Sequence, residues 1–203
     1  MNPFFITTFF SLKKEFFYVL LAFLLVILMP IIGVIILTRI GLDFVSERLV
    51  SLSEVTNEVQ ILNPVDGSVY KTIKGEFFWP VNGVVTLGFG ELSLWQLLHT
   101  GIDIANPEGK RGDSITPFMP GTVIYSGQIF WGFGKHVIID HGDNVSSIYA
   151  HLDSIWVDVG QEVSPGDILG TEGSTGWSTG PHLHFQINVF GIPVNPRVFL
   201  GGN

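Results

Sequence analysis

The chain contains no cysteine. That excludes disulfides and thiolate ligands, so any metal it holds must be gripped by nitrogen and oxygen. It also fits an exported protein whose folding needs no oxidation. Charge is scarce too, with Lys and Arg at 10 positions against Asp and Glu at 18. From Glu76 onward the imbalance sharpens to 4 basic against 12 acidic positions. Nucleic-acid binding wants basic patches, and a surface this acidic argues against it. No repeat of fixed period is visible, and beyond Gly75 no long helical pattern appears. No lysine follows Lys135.

What is present begins with a hydrophobic run. Phe16 to Leu37 contains no charged residue, and about 22 residues at about 1.5 Å each span the ~30 Å core of a bilayer. A cleaved signal peptide usually has an apolar region of only about 7–15 residues, and no small-x-small site follows Leu37. The expectation is an uncleaved signal anchor over 16–38, after a weakly basic cytoplasmic tail, 1–15. Pro30 lies within it and is tolerated better in a membrane span than in a soluble helix. Lys13 and Lys14 precede the span and Arg39 and Arg48 follow it, so flanking charge hardly chooses an orientation. Residues 39–75 read as a juxtamembrane linker, helical over 40–62, where Leu42, Val45, Leu49, Leu52 and Val59 follow a heptad-like stagger. That helix would pack on its own domain or on lipid headgroups. A weak dimerising coil through residues 42–59 is the alternative, on fewer than four heptads. Asn63-Pro64-Val65-Asp66-Gly67 is turn chemistry near the linker's end.

Residues 76–203 change character. Short β-branched and aromatic runs, such as Val84–Leu87, Gly121–Tyr125, His136–Asp140 and Val145–Tyr149, are separated by glycine and proline turns. This predicts a mainly β domain, a sandwich or barrel. Val157–Gly170 resembles the turn-strand-turn of barrel-sandwich hybrid folds, seen also in biotin and lipoyl carriers. A carrier would need a modifiable lysine at a hairpin tip, and none is there.

Two strings carry the chemistry, His99-Thr100-Gly101-Ile102-Asp103 and Pro181-His182-Leu183-His184-Phe185. Side chains alternate faces along an extended strand. His99 and Asp103 would then share a face with the small Gly101 between them. His182 and His184 would share another, with Leu183, Phe185 and Ile187 turned to a core. A catalytic zinc keeps three protein ligands and leaves its fourth position to water, and His99, Asp103 and His184 would supply those three. Such a metal brings the pKa of its water toward about 7 and polarises a scissile carbonyl. A proton carrier is then needed beside it, and imidazole titrates in the useful range. His182 and His151 are the candidates. A lone histidine is more often a hydrogen-bonded structural group, which is the preferred reading of His136 and His141.

These motifs, in order, carry a resemblance. Phe89-Gly90, the His99–Asp103 string, Tyr149-Ala150-His151-Leu152, Gly173-Ser174-Thr175-Gly176 and Ser178 to Phe185 make residues 76–200 resemble the lysostaphin-type (LytM-like) zinc endopeptidases of bacterial cell walls. Val194-Asn195-Pro196 fits that family's closing segment. The resemblance implies a lysostaphin-type antiparallel β domain with an open groove and one zinc ion held by His99, Asp103 and His184. His151 and His182 would assist proton transfer while a zinc-activated water hydrolyses stem or cross-bridge peptides of peptidoglycan. It implies a single-pass protein of the bacterial cell membrane, in contact with lipid through its helix and with peptidoglycan through a domain outside the cytoplasm. Some relatives have lost ligands and instead bind the wall or activate its amidases, but here all five positions are intact. Trp177 stands where the family often has arginine, and it joins Ser178, Thr179 and Tyr149 as candidate groove residues. The groove is expected between loops near Gly112–Pro120, Phe130–Lys135 and Gly173–Gly180. Trp95, Trp131 and Trp156 are a mixture of core and groove wall that the sequence leaves unsorted. The charged turn Asn106–Asp113 departs from the family in loop shape.

Overall fold

A computed structural model describes residues 3–53, 56, 58–92 and 98–201, with side chains from residue 14 onward except 15. Trp95 lies outside the described residues. Helix α1 runs over Pro3–Leu49, and its Phe16–Leu49 part is long and apolar enough to cross a membrane. Among the described residues fourteen strands follow: β1 (Val50–Leu52), β2 (Val59–Leu62), β3 (Val69–Ile73), β4 (Val84–Leu87), β5 (Ile102–Ala105), β6 (Ser114–Ile115) and β7 (Gly121–Gln128), then β8 (Lys135–Asp140), β9 (Val145–Ala150), β10 (Ser154–Ile155), β11 (Glu162–Val163), β12 (Gly170–Thr171), β13 (Leu183–Val189) and β14 (Ile192–Val194). A single turn of helix, α2 (Arg197–Leu200), closes the described chain.

The strands make three antiparallel sheets. The largest runs β11-β7-β8-β9-β13-β5-β4, with β14 also paired to β13. The second is β10-β12-β6 and the third β1-β2-β3. The mainly β domain expected from the punctuated apolar runs is what forms, with the antiparallel pairing that the family resemblance implies. The hairpin joining β13 to β14 turns on Phe190 and Gly191, both at positive φ. Two consecutive such residues match the right-handed twist of the strands they connect. Beneath the large sheet, Ile102, Ile104, Phe118, Val137, Ile139, Tyr149, Leu183, Phe185 and Ile187 form one apolar core. Each large side chain removed from water there contributes roughly 1.5–3 kcal/mol.

The linker expectation is corrected. The chain divides into compact units Met1–Ile40 and Gly41–Asn203, so residues 41–75 belong to the β unit rather than to a separate stalk. Helix persists only to Leu49, and among the described residues of the supposed helix Val50–Leu52 and Val59–Leu62 form β1 and β2. The reason is burial. Leu49, Val50, Val59 and Ile61 join the domain core, and Val59–Leu62 buries alternate residues, the period of a strand and not of a helix. Leu49 and Val59 are thereby withdrawn from the dimer seam that the heptad-like stagger suggested. Ser46, in the last turns of α1, accepts a hydrogen bond from the Asn195 amide at 2.9 Å, tying the helix end to the segment after β14.

Candidate metal centre

The centre is built across two neighbouring strands. In the β13–β5 register His184 lies directly opposite Asp103, and on its other side opposite Ala150 of β9. Directly opposed residues share a sheet face, so His184 and Asp103 project together while Leu183 and Phe185 enter the core. His99 reaches the same point from a different direction. It precedes β5 and is not part of the strand. Its amide donates to the Glu91 carbonyl, and its carbonyl accepts from Gly90. The expected four-residue strand alternation is therefore replaced by a bend. Gly101 permits it, because a Cβ there would collide with the Phe185 carbonyl oxygen.

Three atoms converge. His99 Nε2, Asp103 Oδ1 and His184 Nδ1 stand 2.9 Å from one another in every pairing. His99 Nδ1–H donates to the Gly88 carbonyl at 2.9 Å, which leaves Nε2 with its lone pair facing inward. Both imidazoles are almost fully buried. Three lone-pair atoms packed this closely repel unless a cation or shared proton sits among them. Two nitrogens and a carboxylate oxygen at this spacing suit bonds of about 2.0–2.2 Å to zinc. Burial by itself would raise the Asp103 carboxyl, but the contacts from His184 and His99 outweigh it and hold it well below the usual carboxylate range. Burial pushes the His184 imidazole down, against the pull of Asp103. The ring is thereby kept neutral, with a lone pair on Nδ1 facing Asp103 and His99.

His184 Nε2, on the far edge of the ring, is buried without a hydrogen bond of good geometry, and the Gln186 side chain lies beside it. Gln186 Oε1 accepts from the Thr100 hydroxyl at 2.6 Å, and its Nε2 donates to Asn188 Oδ1 at 2.7 Å. Those two bonds fix which end of the carboxamide is the acceptor. Sequence reasoning missed Gln186 and Thr100, although Gln186 follows His184 by two along β13 and so shares its face.

The two spare imidazoles flank the triad. His182 Nδ1–H donates to the Gly180 carbonyl at 2.9 Å, leaving Nε2 3.6 Å from Asp103 Oδ2. His151 Nδ1–H donates to the Thr175 carbonyl at 2.8 Å, and its ring centroid lies 4.8 Å from that of His182. Burial, reinforced by His182 and His184, drives His151 down to about 3. It is a neutral group at physiological pH.

Tyr149 is corrected from groove to core. It is fully buried, its hydroxyl accepts the Phe118 amide at 2.9 Å, and its ring packs on Phe185 at 5.3 Å. Strand parity would put His151 on that same side. His151 instead adopts φ 64°, a left-handed conformation that costs a non-glycine residue about 1–3 kcal/mol and swings it to the metal face. Thr175 supports this turn, its hydroxyl bridging the Leu152 carbonyl and the Lys135 amide, each at 2.9 Å. Within the Gly112–Pro120 segment, Ile115 and Phe118 are wholly buried and belong to the core, while Gly112, Ser114 and Pro120 are exposed.

The other two loops do meet beside the site. The Trp177 amide donates to the Gly132 carbonyl, and a Cβ on Gly134 would strike Thr175. Trp131 and Trp177 are about half exposed there, as is Trp156 elsewhere on the domain. Ser178 donates to the Gly180 carbonyl at 2.7 Å and lies 3.3 Å from His182 Nδ1. Thr179 is exposed. His136 stacks on Tyr125 and bonds the Gly134 carbonyl. His141 bonds the Pro120 carbonyl and Ser147. Neither reaches the triad.

Residues 97–196 match Peptidase family M23. The catalytic domain of the prophage-encoded M23 protein EnpA from Enterococcus faecalis is 35% identical in sequence, with a TM-score of 0.54, the match covering 63% of this chain and 98% of that one. The chain belongs to peptidase family M23. The M23 domain is also similar to the catalytic domain of the antimicrobial peptidase lysostaphin from Staphylococcus simulans, at 29% identity and TM-score 0.53 over 59% of this chain and 93% of that one. Among curated proteins, the murein hydrolase activator NlpD of Salmonella dublin is 40% identical over 122 residues, 60% of this chain and 30% of its own length. The chain thus spans less than a third of that relative.

Proposed function

We propose that this protein is a zinc-dependent endopeptidase that hydrolyses stem or cross-bridge peptides of peptidoglycan. The observation that carries this reading is the mutual 2.9 Å approach of His99 Nε2, Asp103 Oδ1 and His184 Nδ1, beside two imidazoles committed to neither core nor ligand set. These three residues would hold one zinc ion. When bound, zinc supplies a Lewis acid that brings the pKa of a coordinated water toward about 7 and polarises a carbonyl.

The chain's own residues do the rest. His182, its Nδ1 proton fixed on Gly180, presents a free Nε2 to the Asp103 side of the site and can take a proton there. His151, neutral because it is buried and with its Nδ1 proton held by Thr175, presents the Nε2 lone pair from the other flank and can accept a proton or a hydrogen bond there. Positioned groups of this kind contribute about 10²–10⁴-fold to turnover. Trp131, Trp177, Ser178 and Thr179 border the approach to the metal face and would touch the substrate.

The reading extends to location. Phe16–Leu37 would anchor the protein by one membrane span, with the M23 domain outside the cytoplasm where peptidoglycan lies. A second reading is a murein hydrolase activator, favoured by the likeness to NlpD. The full set of His99, Asp103, His151, His182 and His184 favours hydrolysis. The test is release of new amino termini from purified wall material. Loss on removing metal and return on adding zinc is expected, whereas release that persists after complete metal removal contradicts the proposal.

A further inference from the structure

A second group of oxygen donors lies away from the zinc triad, and no family motif accounts for it. Glu172 is fully buried, and neither of its carboxylate oxygens has a hydrogen-bond partner of good geometry. In the β12–β6 register Thr171 opposes Ser114. One step further, the Glu172 amide donates to the Asp113 carbonyl at 2.9 Å, so the two acids face each other across the strands. Like charges directly opposed are destabilising. The Asn106 amide is the other polar neighbour of the Glu172 carboxyl, and Asn106 Nδ2 donates to Asp113 Oδ2 at 2.7 Å. Among the described residues no lysine or arginine pairs with either acid, and Lys110 is engaged by Glu108. Asn106 and Asp113 also line an open cleft of about 650 Å³, which brings solvent to the Asp113 side of the pair.

We infer that Glu172 and Asp113, with the Asn106 loop around them, form a calcium site that clamps the Asn106–Asp113 turn onto β12. The two carboxylates offer only oxygen, which selects a hard cation over zinc, while Asn106 turns N–H groups toward them and orients rather than ligates. Without a cation, burial and the facing Asp113 push the Glu172 carboxyl up to about 7, the mark of a carboxylate lacking a counter-charge. The clamp has a consequence for the main site. Asn106 follows the ligand Asp103 by three residues, and Glu172 leads into the Gly173–Gly180 loop that ends at His182. A cation here fixes both approaches to the triad. Extracellular calcium modules bind in the range of about 10⁻⁴–10⁻³ M, which suits a domain bathed in external calcium.

The test uses the full zinc-loaded chain in detergent with calcium chloride as probe, read by equilibrium dialysis and by thermal unfolding, neither of which needs peptidase activity. The parent is expected to bind about one calcium, and at a hundredfold excess over Kd its midpoint rises by roughly 5–10 °C. Glu172→Gln, nearly isosteric, abolishes both effects, and Asp113→Asn weakens them. Equal calcium binding by the parent and Glu172→Gln overturns the site. So does a parent that ignores calcium while Glu172→Gln unfolds at a higher temperature, since the two acids would then be sharing a proton.

Discussion

The two faces of β13 are made from adjacent residues and behave as different materials. Leu183, Phe185, Ile187 and Val189 are wholly buried in hydrocarbon. His184, Gln186 and Asn188 alternate with them and form a polar ladder, with Thr100 and Asp103 joining from β5 and the bend before it. The core face is held by non-directional burial, which tolerates change in proportion to volume lost. The metal face is held by directed lone pairs, where a shift of one atom is felt at once. A rigid apolar layer one residue away is what keeps three donors at 2.9 Å despite their repulsion. This contrast predicts that substitutions on one face change stability and those on the other change chemistry.

The largest expected effect lies on the metal face. His182→Ala and His151→Ala should each lower turnover on wall peptides about 10²–10⁴-fold while leaving the unfolding midpoint within a few degrees of the parent. A comparable loss of stability in both would place these imidazoles in the structural set instead. Next comes the core face. Phe185→Ala, which removes contacts to Phe118 and Tyr149, should cost about 3–5 kcal/mol in denaturant unfolding of the zinc-loaded protein. Gln186→Leu tests the boundary between the two materials. Losing the acceptor beside His184 should weaken zinc binding about 10–100-fold, with Gln186→Glu retaining most of the affinity.

The smallest effect concerns acid. Burial holds His141 down to about 4, below the ordinary 6.5 of an unfolded chain. The unfolded state therefore binds a proton first as pH falls. His141's contribution is complete above about pH 6.5 and is lost progressively toward pH 4, on the order of 2 kcal/mol. His141→Gln should flatten stability against pH in that window, and an unchanged slope would show that other groups control it.

The sequence made the converging donors legible more readily than the path of the chain. The two motif strings are short, polar and fixed in spacing, so His99, Asp103 and His184 stood out although 81 residues separate the last two. Strand alternation explains His184 against Phe185 without further information. It failed where the backbone departs from extended geometry. His151 sits at positive φ, so counting faces from Tyr149 put the tyrosine in the groove when it belongs to the core. Residues 42–62 failed for another reason. Leu49, Leu52 and Val59 satisfy a helical stagger and a pair of short strands equally well, and only the tertiary burial of Val50 and Ile61 decides between them. Glu172 gave no local sign at all, because its burial depends on a strand partner more than fifty residues away.

The central claim is that three converging donors hold zinc independently of the neighbouring imidazoles. The most direct measurement is zinc content at equilibrium for the parent, His184→Ala and His182→Ala. One zinc per chain in the parent and in His182→Ala, with none in His184→Ala, is the predicted result. Retention of zinc by His184→Ala at parental affinity would contradict it.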